Sequence, residues 1–118
     1  GHVAFNEPED VSVQEFSRRP TRVLTISAET RTINSVGDLN GAIDAMPKRC
    51  VTIGMQQILS AKRVYLACFR DWHRAVVRQA VCGTVTAAFP VTLLQNHPDA
   101  SITIPKSIAE PAYPSLLR

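Results

Sequence analysis

RVYLACF at residues 63–69 decides the fold. It is a near-continuous apolar run bounded by basic residues, the pattern of a strand buried on both faces, which in turn implies a parallel sheet with helices on either side. DWHRAVVRQAV follows at 71–81. Its apolar residues Trp72, Val76, Val77 and Ala80 fall at helical spacing, so Trp72 is expected in the core. On the upstream side QQILSA (56–61) reads as a short helix and CVTIGM (50–55) as a brief strand entered from Pro47. Further out, TRVLTIS (21–27) is an alternating, β-branched strand. AETRTINS (28–35) is a short helix after Ser27, and VGDLNG (36–41) is turn text. Downstream, Pro90 introduces a helix over VTLLQNH (91–97), and ASITIP (100–105) is a last strand. The stretch from Glu7 to Pro20 is polar, and the tail from about 105 to 118, with Pro111 and Pro114 within it, reads as irregular. About four strands alternating with four helices make an α/β chain. That is thin for a sheet covered on both faces. If the chain is half of a larger domain, one side of RVYLACF faces solvent, either Val64 and Leu66 or Tyr65 and Ala67.

With 118 residues, 45% hydrophobic and 19% charged, the chain is the size and composition of one globular domain. It has no apolar run of membrane-spanning length and no leader-like start, so neither membrane nor secretion is expected. Cys50, Cys68 and Cys82 are odd in number and contain no CxxC pair. Reduced thiols and a cytoplasmic location follow, without a disulfide framework. No His, Cys, Asp or Glu cluster has metal-ligand spacing, and Met46 and Met55 are too far apart to form a cofactor box. A net charge of +3 suits a phosphorylated small molecule as well as a polyanion. Aromatics do not interleave with the two arginine groups (Arg18, Arg19, Arg22 and Arg70, Arg74, Arg78), so nucleic acid is not the expected partner.

GHVAFNEP at residues 1–8 resembles the active-site loop of the glucosamine-6-phosphate deaminase/isomerase family, written G-H-[IV]-A-F-N-E-P. The similarity continues through 21–35, 47–68 and 76–104. Phe5, Asn6, Glu7 and Pro8 separate it from the related phosphogluconolactonase group, which continues from Gly-His with small residues. The resemblance implies a Rossmann-like parallel sheet with flanking helices. In it, residues 1–118 are the C-terminal part of one domain, with the Gly-rich phosphate loop and the C2 base lying outside this chain. It also implies amino-sugar chemistry without a cofactor or metal: aldose–ketose isomerisation with release of ammonia from a small sugar phosphate. Homo-oligomerisation of a full-length parent is left open. The other reading is a catalytically inactive remnant that still binds sugar phosphate.

Carried over residue by residue, the resemblance makes His2 the acid/base that opens the sugar ring and Glu7 the carboxylate that supports it. An imidazole titrating near neutrality suits such a proton transfer, and a carboxylate partner fixes its tautomer. The family's phosphate-binding lysine aligns with His73, so Arg70, His73 and Arg74 are the candidates for substrate binding. The alternative is a solvated basic face, because Arg70, Arg74 and Arg78 recur at four-residue spacing. A second family arginine is absent, with Val36 and Gly37 standing in its place. Arg22 matches an arginine that binds the activator in allosteric members. Its basic partner is replaced by Leu24, so pairing with a nearby acid or exposure to solvent is expected instead. His97, in QNHP, is expected to cap a helix.

Overall fold

The computed structural model describes residues 1–110. It contains two small sheets. β1 (Arg22–Thr25) pairs antiparallel with β2 (Arg49–Thr52), with Val23 opposite Val51. β3 (Val64–Ala67) pairs parallel with β4 (Ala100–Thr103), with Leu66 opposite Ile102. The parallel layout therefore holds for the second sheet, and β1–β2 departs from it. The two strands of that first pair run in opposite senses.

RVYLACF is not buried on both faces. Val64 and Leu66 turn inward, Leu66 packing with Ile102 and Ile104 around Cys68, Val77 and Ile108. Tyr65, on the other face, is 72% exposed. The strand is open on one side, where Tyr65 and Ala67 face outward.

Among the described residues, one short helical segment precedes the strands, five lie between them and one follows the last. α1 (Val13–Ser17) sits in the stretch that reads as polar; Ser12 caps it by accepting from the Glu15 N–H at 3.1 Å. Its main apolar anchor, Phe16, is fully buried against Met55, Ala87 and Leu93, and Val13 packs partly buried on the same cluster. α2 (Ala28–Asp38) runs three residues into the expected turn text. The turn itself is displaced to Asn40 and Gly41, whose φ values of 50° and 85° break the helix. A single 3-10 turn covers Ile43–Ala45, and α3 (Met55–Ser60) follows β2. A 3-10 helix rather than an α-helix covers Pro90–Asn96, with Val91 and Leu94 packed on Ala80 of α4 (His73–Cys82). α5 (Lys106–Ala109) places one turn of helix in the tail read as irregular, anchored by buried Ile108. The remainder of that tail, 111–118, lies outside the described residues.

Two further expectations resolve at the edges. Trp72 is not core. It precedes the first turn of α4 and is 62% exposed, while Val77 and Ala80 carry the buried stripe. His97 does end its helix, and it does more: it is 8% exposed, its Nε2 bonds the Ala61 carbonyl at 2.8 Å and its Nδ1 accepts the Asp99 N–H at 3.0 Å. Those contacts tie the end of α3 to the start of β4. Among the described residues, no helix is long and apolar enough to cross a membrane.

Candidate active site

Residues 1–8 form a tight loop lying over the end of β2. Ala4 takes φ 51°, and the Asn6 N–H donates to the Val3 carbonyl at 3.0 Å, so the chain reverses within four residues. Asn6 is fully buried. Its Nδ2 donates to the carbonyls of Val3 (2.9 Å) and Ile53 (2.8 Å), and its Oδ1 accepts from Arg22 Nη1 at 2.9 Å. The Phe5 N–H donates to Thr52 Oγ1 at 3.1 Å. A buried amide with all these partners holds its loop in one place, since a lost partner would leave a desolvated polar group. At the other end the Gly1 carbonyl accepts from Val91 at 2.9 Å. A Cβ at Gly1 would collide with the Phe89 ring, so glycine before His2 is a packing requirement.

The loop presents its two candidate catalytic side chains separately. His2 is exposed and its Nδ1 bonds the Ala4 carbonyl at 2.6 Å, leaving Nε2 outward. Glu7 turns instead to the start of α2, where its Oε1 accepts from Ser27 Oγ at 2.8 Å and from the Ser27 N–H at 3.4 Å. The two are not hydrogen-bonded to each other, yet His2 is near enough to favour the charged carboxylate. Partial burial pushes Glu7 up. The Thr30 and Ser27 hydroxyls, the Ser27 N–H and His2 outweigh it, holding the carboxyl below the ordinary glutamate value. Of those hydroxyls, Ser27 is the one within hydrogen-bond distance.

A cleft of about 200 Å³ opens beside His2, lined also by Asn34, Asp38, Arg70, Trp72 and His73. Two of the three candidate phosphate ligands thus share a cavity with the candidate ring-opening histidine. Arg74 does not. It lines a separate groove between α4 and α5, with its Nε buried and unpartnered among the described residues. Successive helical residues diverge by about 100°, so His73 and Arg74 cannot both face one cleft squarely.

The start of α4 is also less open than the sequence implies. The His73 N–H donates to the Arg70 carbonyl at 2.8 Å and the Arg74 N–H to the Asp71 carbonyl at 3.3 Å. Trp72 rather than Asp71 occupies the capping position, without a side-chain bond. Arg70 stacks 5.1 Å over the Trp72 ring, and its N–H donates to His73 Nδ1 at 3.3 Å.

Arg22 pairs with an acid as expected, reaching Glu9 at 3.5 Å, and in addition holds Asn6. Glu9 also binds Arg19 at 2.7 Å. Sequence reasoning passed over Asn6, Ser27 and Thr52 as site-building residues. Ser27 was legible as a helix start. That its hydroxyl also meets a glutamate twenty residues earlier was not. Among the described residues, no three His, Cys, Asp or Glu side chains gather as a metal site would require.

Comparison with known proteins agrees with the loop. No protein-family model matches the chain. A glucosamine-6-phosphate deaminase of Beutenbergia cavernae is 33% identical over 92% of this chain and 40% of its own length. Glucosamine-6-phosphate deaminase 1 of Bacillus subtilis is 34% identical over 92% of this chain and 42% of its own. A solved structure of a monomeric glucosamine-6-phosphate deaminase of the NagB superfamily superposes with a TM-score of 0.76 at 31% identity, over 89% of this chain and 41% of that one. The chain spans about two-fifths of the length of these relatives. With loop, fold and sequence in agreement, the chain belongs to the glucosamine-6-phosphate deaminase family.

Proposed function

We propose that residues 1–118 are the C-terminal, ring-opening part of a domain that converts an amino-sugar phosphate to a ketose phosphate with release of ammonia. The observation that supports this most is the shared cleft, in which His2 stands across from Arg70 and His73. A phosphate held at the cationic side would leave the sugar ring beside His2. There the exposed imidazole moves a proton between the anomeric hydroxyl and the ring oxygen. Glu7 carries the negative charge that favours the imidazolium formed in that step. Arg70 is the stronger phosphate ligand of the two, because a guanidinium stays charged and offers paired donors. The base that removes the C2 proton belongs to the part of the relatives' length that this chain does not span. A cytoplasmic setting suits phosphorylated substrates and free thiols alike.

The test uses both the chain and a full-length parent. The 118-residue chain alone should release no ammonia from glucosamine-6-phosphate, and clear turnover would overturn the division of the site. In the parent, His2→Gln should slow the closed-ring substrate by about 100-fold or more while sparing an open-chain analogue. Equal losses on both would remove ring opening from His2.

A further inference from the structure

Serine is one of several good helix caps; asparagine and aspartate serve equally well, because a cap need only accept a backbone N–H. At the start of α2 the residue is asked for more. Ser27 Oγ accepts the Thr30 N–H at 3.1 Å and at the same time donates its single proton to Glu7 Oε1 at 2.8 Å. Its backbone N–H points at the same carboxylate oxygen, at 3.4 Å. A hydroxyl does both through a single oxygen. An aspartate would set two carboxylates against each other, and an alanine would leave α2 without its side-chain cap and Glu7 with only the backbone N–H at 3.4 Å.

We propose that Ser27 is a positioning residue for Glu7, tying the carboxylate to the positive end of α2 so that it remains ionised on the loop that carries His2. The inference deepens the function proposed above and rests on it for the role of Glu7. The contact itself stands on the geometry. α2 is eleven residues long, so its N-terminal field is that of a full helix. The chain from Glu7 to Ser27 passes through α1 and β1, making this a tertiary link rather than a local turn. The other titratable groups coupled to Glu7 are His2 on its own loop and Cys50 on β2, while Arg22 on β1 acts on Cys50. None is within hydrogen-bond distance of the carboxylate, so Ser27 supplies the direct contacts.

The experiment follows the Glu7 side-chain carboxyl by NMR in the 118-residue chain as pH is lowered, using carboxyl-labelled glutamate and Glu7→Gln to assign the signal. Ser27→Thr keeps a hydroxyl and should leave the titration in place. Ser27→Ala should raise the protonated-to-ionised ratio of Glu7 at a fixed acidic pH by roughly tenfold, the effect of losing one charge-assisted hydrogen bond. Ser27→Asp still caps α2, so the fold is kept while the donor is lost and a like charge is added. It should raise the ratio further. A Glu7 titration indifferent to Ser27→Asp, or displaced as much by Ser27→Thr as by Ser27→Ala, overturns the proposal. Neither outcome depends on turnover, so a failure of ring opening by His2 in the parent remains a separate result.

Discussion

The two ends of the cleft are built differently. At the His2–Glu7 end, the loop is fastened from below by a fully buried amide, from the side by Arg22 and Thr52, and from the front by Ser27. At the Arg70–His73 end, the side chains hold mainly one another: Arg70 lies over Trp72, its N–H meets His73, and Trp72 stands 62% exposed. One end is pre-organised by contacts that reach across the fold, the other by contacts within a few residues. The contrast fits the chemistry proposed for each. Proton transfer needs a donor and acceptor set within a hydrogen bond's length, whereas attraction between a guanidinium and a phosphate falls off gently with distance.

The largest expected effect tests that contrast directly. Asn6→Ala strips three side-chain bonds from a fully buried position and leaves the Val3 and Ile53 carbonyls and the Arg22 guanidinium each with one partner fewer. It should cost about 3 kcal/mol, read as a lowered urea midpoint. Trp72→Ala and His73→Ala, at exposed or half-buried positions, should each cost no more than about 0.5 kcal/mol. Similar losses at both ends would break the comparison.

How much of this was legible in the sequence depended on the range of the contacts involved. β1, β3, β4 and α4 follow from alternation and helical spacing, and their bounds agree to within a few residues. What periodicity could not show was the partner of each strand: β1 and β2 pair antiparallel although the text reads as a parallel layout. α1 was hidden because a five-residue helix with one buried Phe16 has no periodic stripe. Trp72 misled for the opposite reason, since it continues an apolar spacing that the fold ends one residue later. At the site, the motif supplied His2 and Glu7. Asn6 looked like part of a phrase until its burial made it the loop's anchor. Arg74 looked equivalent to His73 until the helix turned it into another groove.

A smaller effect concerns acid. Glu7 is held below the ordinary glutamate value in the folded chain, so between the two values the unfolded chain binds more protons. The stabilisation is complete above the unfolded value and is lost as pH falls through the folded one. Glu7→Gln should therefore show its largest stability deficit near neutral pH, and the two unfolding midpoints should converge as pH falls below the ordinary glutamate range. His73→Ala should run parallel to the parent over the same range. Curves for Glu7→Gln that stay parallel as well would mean that α2 does not hold the ionised carboxylate.

The smallest effect is a local one, and it separates the ends of the cleft by chemistry rather than by stability. Cys50 and Cys68 are both pushed up, Cys68 by burial alone and Cys50 by burial first and the Glu7 carboxylate second, with Arg22 opposing. Cys82 is exposed. Because the thiolate is the form that reacts, alkylation at mildly alkaline pH should proceed at Cys82 first, then at half-buried Cys50, and last at Cys68. Removing the Glu7 charge takes away one cause of the shift at Cys50 while leaving its burial in place. Glu7→Gln should thus quicken Cys50 labelling by about twofold. Cys68, packed with Val77 and Ile108 on the far sheet, should keep its rate. His73→Ala should change neither, since that end of the cleft reaches no thiol through a charged neighbour. Mass spectrometry of the three cysteine peptides reads all of this in one series. A Cys50 rate that follows His73 instead of Glu7 would show that the two ends are electrostatically one site.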